Sequence, residues 1–116
     1  MSFWRREVAQ PALDQDVERA IAEQRAILAR DPRDAPAHFA LGTLLHFRGE
    51  AAAAIRCFER ALELDTAYAA PHASLGRIRA VEGDSEAAWR HAREAARLGD
   101  RSLLDQLERY PGAASP

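Results

Sequence analysis

The chain has 116 residues, of which 47% are hydrophobic and 29% charged, and its formal net charge is −2. That is the size of one domain, long enough to bury roughly two-thirds of its unfolded surface without staples. The near-neutral balance argues against generic nucleic-acid binding, which needs a basic face. All 16 basic residues are arginine, which excludes a Schiff-base lysine and a phosphate-loop lysine. The single cysteine, Cys57, cannot close an internal disulfide, so nothing points to an oxidising compartment. The start, MSFWRREVAQP, lacks the apolar core and cleavage site of a signal peptide. No apolar run approaches the ~20 residues of a membrane span. The expectation is a soluble cytoplasmic protein, and one from bacteria, since an alanine-rich, lysine-free composition fits a GC-rich genome.

In chain order, residues 1–13 read as a partly ordered N-terminal segment whose Phe3 and Trp4 await a place, in the core or at an interface. A helix follows over about residues 14–30, with Ala20, Ile21 and Leu28 on one face, ended by Asp31-Pro32. Asp34 is an N-cap with Pro36 in the first turn of the next helix, and Ala37, Ala40, Leu41, Leu44 and Leu45 recur with helical spacing. Gly49 suits a left-handed C-terminal cap and Glu50 opens a further helix with Ala54, Ile55, Phe58, Ala61 and Leu62 along one side. The plan then repeats: Pro71 in a first turn, Gly83 as cap, Asp84 as opener, then Ala88, Trp89, Ala92, Ala95 and Leu98, closed by Gly99. Residues 102–110 read as a short capping helix stopped by Pro111-Gly112, and 111–116 as a flexible tail.

The plan has a fixed period. Sliding the chain by 34 residues sets His38 on His72, Leu41-Gly42 on Leu75-Gly76, Gly49 on Gly83, Ala53-Ala54 on Ala87-Ala88, Ala61 on Ala95 and Leu64 on Leu98. Backwards, Asp16, Ala20, Ile21, Leu28 and Asp31 meet Glu50, Ala54, Ile55, Leu62 and Asp65. Such self-similarity marks a repeat architecture. Each unit is a helix pair, and close packing of a pair at about 8–10 Å calls for small residues at the crossing. Gly42 and Gly76 supply them on the first helices, and Ala54, Ala61, Ala88 and Ala95 on the second. The run Ala51–Ala54 is therefore a packing device with high helix propensity rather than a reactive site.

With Leu-Gly in the first helix and spaced Ala, aromatic, Ala in the second, the 34-residue unit resembles the tetratricopeptide repeat (TPR). Leu41-Gly42, Ala54, Phe58, Ala61 and Leu62-Glu63-Leu64-Asp65 carry the likeness, with Leu75-Gly76, Ala88 and Ala95 in the second unit, and Ala20, Leu28 and Asp31-Pro32 before the first. It departs from the family pattern where His38 and His72 stand for tryptophan, Thr66 and Asp100 for proline, and Ala92 for a large aromatic. The resemblance implies an all-α, right-handed helical solenoid of antiparallel helix pairs: a half repeat over 14–34, repeats over 35–68 and 69–100, and a capping helix over 101–110.

Chemistry is sparse. Cys57 and His91 occupy equivalent slots of neighbouring units, as do His38 and His72. Equivalent slots lie on the order of 10 Å apart, too far to share a metal. There is no CxxC, HExxH, GxSxG or glycine-rich phosphate loop. The expectation is no enzyme, no metal and no cofactor, with Cys57 a partly buried filler. The resemblance instead implies a concave groove lined by first helices, here Phe39, Thr43, His46 and Phe47 beside Ala73, Arg77 and Ala80. The expected role is a scaffold that binds a peptide or helical segment of another protein, with no nucleic acid and no membrane. A self-associating structural subunit is the alternative. Some family members grip a chaperone's C-terminal carboxylate through lysine, asparagine and arginine. Thr43 and Arg77 occupy such slots and only Arg77 suits, so that function is not carried over.

Overall fold

A computed structural model describes the backbone of residues 2–110 and the side-chain surroundings of residues 14–110. The described residues form six helices and no strand: α1 (Ser2–Arg30), α2 (Ala35–Phe47), α3 (Ala51–Leu64), α4 (Ala69–Val81), α5 (Ser85–Arg97) and α6 (Ser102–Arg109). None is long and apolar enough to cross a membrane. Every helix expected from the sequence is present. The one large difference is the start of α1, which runs through Pro11 from Ser2 rather than beginning near Asp14. Proline disfavours a helix interior, hence the expected boundary, but good helix formers such as Arg5, Arg6, Glu7 and Ala9 stand on its far side. The packing of Phe3 and Trp4 and the tail over 111–116 lie outside the described residues.

The turns are written locally. After α2, Gly49 at φ 93° lets its N–H reach the His46 carbonyl while the Glu50 N–H reaches that of Leu45, at 3.0 and 2.9 Å. After α4, Gly83 at φ 86° and Asp84 make the same two bonds to Ala80 and Arg79. This is the double bond of a Schellman ending, which needs a left-handed residue after the helix. Between units, the carboxylates of Asp31 and Asp65 each accept a backbone N–H two residues on, from Arg33 and Ala67, at 3.1 and 3.0 Å. Asp34 caps α2 by accepting from the Ala37 N–H at 2.9 Å, and Asp84 caps α5 by accepting from Ala87 at 3.1 Å.

These stops fold α3 back on α2 and α5 back on α4. The crossings are tight because the residues are small: Ala54, Ala61, Ala92 and Ala95 have no exposed surface. Ile21, Leu41, Leu45, Ala54, Phe58, Leu75 and Ile78 form one core cluster reaching from α1 to α4, and Ala88, Ala92, Leu103 and Leu107 form a second where α6 closes on α5. Along the array α2 touches α4 and α4 touches α6. Among the described residues no Cα of α1 comes within 8 Å of α3, nor any of α3 within 8 Å of α5. The even-numbered helices thus make one contiguous row, and the odd-numbered helices stand apart with grooves between them.

Candidate functional site

The contiguous row holds the seven residues expected to line a groove, and it divides them. Thr43, His46 and Phe47 on α2 and Arg77 and Ala80 on α4 are exposed. Phe39 and Ala73 are not available in the same way. The Phe39 ring lies 5.6 Å from that of Phe58 and 5.5 Å from that of Tyr68, so it is a half-buried part of the core, and Ala73 is buried. Thr43 turns its hydroxyl back to donate to the Phe39 carbonyl at 3.1 Å. Arg77 donates to the Ser102 hydroxyl at 3.2 Å, which ties α4 to the start of α6. Asp100 accepts from both the hydroxyl and the N–H of Ser102, and these bonds hold its carboxyl below the usual range.

The apolar content of this face lies at its edge. Phe47 is 74% exposed and Val81 89% exposed, and the two stand 34 residues apart at the last position of α2 and of α4. The sequence reading missed Val81, although the period points to it. Contiguous exposed apolar surface is the usual material of a contact site, and the period sets these two side chains at the same register of neighbouring first helices.

The histidines meet in a way that comparing equivalent slots overlooked. The Nδ1 atoms of His72 and His91, on facing helices of one repeat, are 3.2 Å apart, with ring centres at 5.4 Å. Half the difference, 1.1 Å, is about the radius of an imidazole ring, so both nitrogens lie nearly on the line between the ring centres. That is the geometry of an N–H···N hydrogen bond, in which one ring donates and the other accepts. Burial lowers the pKa of His72, and burial together with His72, Arg90 and Arg79 brings His91 down to about 4. Both shifts favour the neutral rings that such a hydrogen bond needs. Among the described residues no three His, Cys, Asp or Glu side chains gather as a metal-ligand set. In the first repeat the matching slots hold His38, whose Nε2–H donates to the Pro32 carbonyl at 2.9 Å, and Cys57, whose half-buried thiol is pushed up by burial.

Among the described residues, grooves open between the odd-numbered helices. One, of about 340 Å³, is lined by Arg25, Leu28, His38, Leu41, Leu45, Ala53, Arg56, Cys57 and Arg60. Another, of about 400 Å³, is lined by Glu59, Leu62, Glu63, Leu75, Arg79 and His91. They are related by the period: Arg25 by Glu59, Leu28 by Leu62, Leu41 by Leu75 and Cys57 by His91. Compared with known protein families and with curated proteins, the chain matches none.

Proposed function

We propose that the chain is a TPR-like helical solenoid that acts as a non-catalytic interaction scaffold, holding a peptide or helical segment of another protein on the face built by α2, α4 and α6. The observation that carries this reading is the outward display of Phe47 and Val81 at the same register, beside the polar but uncrowded Thr43, His46 and Arg77. Touching even-numbered helices and separated odd-numbered ones favour a concave surface on that side. Phe39 and Ala73 then act from beneath, fixing α2 and α4 rather than meeting the ligand. The apolar pair supplies contact area and Arg77 a single cation for an acidic side chain.

Two and a half repeats make a shallow site, so affinity rests on few residues. Tagged protein exposed to lysate from the source organism should retain a partner that the Phe47→Ala, Val81→Ala double variant fails to retain. Both substitutions are on exposed side chains, so melting temperature should be unchanged. Equal retention by the double variant sinks the proposal.

A further inference from the structure

The groove between α1 and α3 has a composition that packing does not require. Its floor is apolar, made by Leu28, Leu41 and Leu45, and its rim carries Arg25 from α1 and Arg56 and Arg60 from α3. None of its nine lining residues is acidic. Arg60 is held by Glu63 at 2.9 Å, whereas among the described residues Arg25 and Arg56 take part in no ion pair. Arg25 on α1 and Arg56 on α3 line the groove together with Cys57, so the two charges stand on the two helices that flank it. The period supplies an internal control. The equivalent groove between α3 and α5 has Glu59 at the register of Arg25 and a second carboxylate, Glu63, beside it, and its one lining arginine, Arg79, stands at the register of Leu45 and is paired with Glu82 at 2.9 Å. The positive rim is a property of one groove and not of the fold, in a chain whose net charge is −2.

We propose that the groove between α1 and α3 is a second binding surface, which takes an acidic peptide segment of a partner protein: an apolar side chain enters over Leu28, Leu41 and Leu45 while flanking carboxylates pair with Arg25 and Arg56. Guanidinium groups suit this because they bind carboxylates bidentately and shed water at lower cost than an ammonium. The surface lies between odd-numbered helices, away from Phe47 and Val81, so it stands or falls independently of the site on the even-numbered row.

The test uses a short fluorescein-labelled peptide of alternating glutamate and leucine, with glutamate/serine and lysine/leucine peptides of equal length, followed by fluorescence anisotropy. The glutamate/leucine peptide should bind most tightly and lose affinity as salt rises. Reversing Arg25→Glu and Arg56→Glu together should weaken it by about tenfold or more, the loss of two charge-assisted hydrogen bonds at a half-open site. The control pair Arg33→Glu and Arg109→Glu, with the same change in net charge, should leave it within about twofold, because distant exposed charges act through a screened field. The bound peptide should also slow alkylation of Cys57 by iodoacetamide. The proposal is overturned by absent binding, by glutamate/serine or lysine/leucine binding as tightly, by equal weakening in both variant pairs, or by alkylation that the peptide does not slow.

Discussion

In the first repeat a methyl group placed on Gly42 would meet the ring of Phe58 at 2.8–2.9 Å and the Cβ of Cys57 at 3.0 Å. In the second, the register mate of Phe58 is Ala92, and the atom closest to the same position on Gly76 belongs to Leu103 of α6, with the His91 Cβ at 3.2 Å and the Ala88 carbonyl oxygen at 3.3 Å. The two repeats fill the same hollow with different parts of the chain. One fills it from within, through an aromatic on its own second helix. The other leaves an alanine there and borrows a leucine from the element that follows, with Leu107, Trp89 and Leu104 completing the cluster. The capping helix is therefore a core element of the second repeat. A short final helix with a polar outer side is not a mere lid.

The comparison can be broken most directly by removing the filler in each case. Phe58→Ala should cost about 3–5 kcal/mol, because the ring is 1% exposed and joins α1 to α4 through one cluster. Leu103→Ala should cost about 2–5 kcal/mol, close to the cost of deleting a core leucine although the residue sits on an eight-residue terminal helix. Urea unfolding of both variants checks the pair. A Leu103→Ala loss below ~0.5 kcal/mol, the range of exposed sites, would leave α6 a lid after all. The next effect is one of sign. Ala92→Phe, which restores the first repeat's residue, should destabilise the intact chain by ~1–3 kcal/mol through overpacking. It should be better tolerated in a Leu103→Ala background, so that the double variant is more stable than the sum of the single changes implies.

Smaller effects sharpen the likeness of the repeats. Asp34→Ala and Asp84→Ala each remove a side-chain acceptor from the N–H three residues on, and each should cost about 1 kcal/mol in thermal or chemical melts. A large inequality between them would show that the two repeats do not share cap energetics. The smallest effect separates the repeats by pH. In the second, His72 and His91 are held neutral, with pKa values below that of a free histidine and His91 at about 4. A lowered folded-state pKa stabilises above the unfolded value near 6.5 and loses that contribution as pH falls towards 4. Melting temperature should thus fall between pH 6.5 and 4, and His91→Leu should flatten that slope. An unchanged slope in the variant would assign the acid sensitivity elsewhere. Because the pair is only half-buried, solvent screening keeps the effect modest.

What the sequence made legible follows from how far each feature reaches along the chain. The period, the glycine stops, the Asp34 and Asp84 caps and the small residues at the crossings all rest on contacts within a repeat, and a shift of 34 residues exposes them. Less legible were features that depend on which helices face one another. Phe39 reads as an exposed aromatic on its helix, yet Tyr68, the residue just before α4, packs on it. Leu103 takes up space that belongs to Ala92 by register. His72 and His91 meet because they stand opposite one another within a repeat, a relation concealed by matching each to its equivalent in the neighbouring unit. Of the seven groove residues, five are exposed on the expected row, and Val81 joins them.

The central claim is that Phe47 and Val81 stand open for another protein. It is tested most directly by molar mass in solution, measured by light scattering on a sizing column over a wide concentration range. The account predicts a constant mass of 12.8 kDa. A mass that rises to a multiple of that value with concentration, and returns to the monomer on Phe47→Glu, would contradict it: the face would already be occupied by a second copy of the chain.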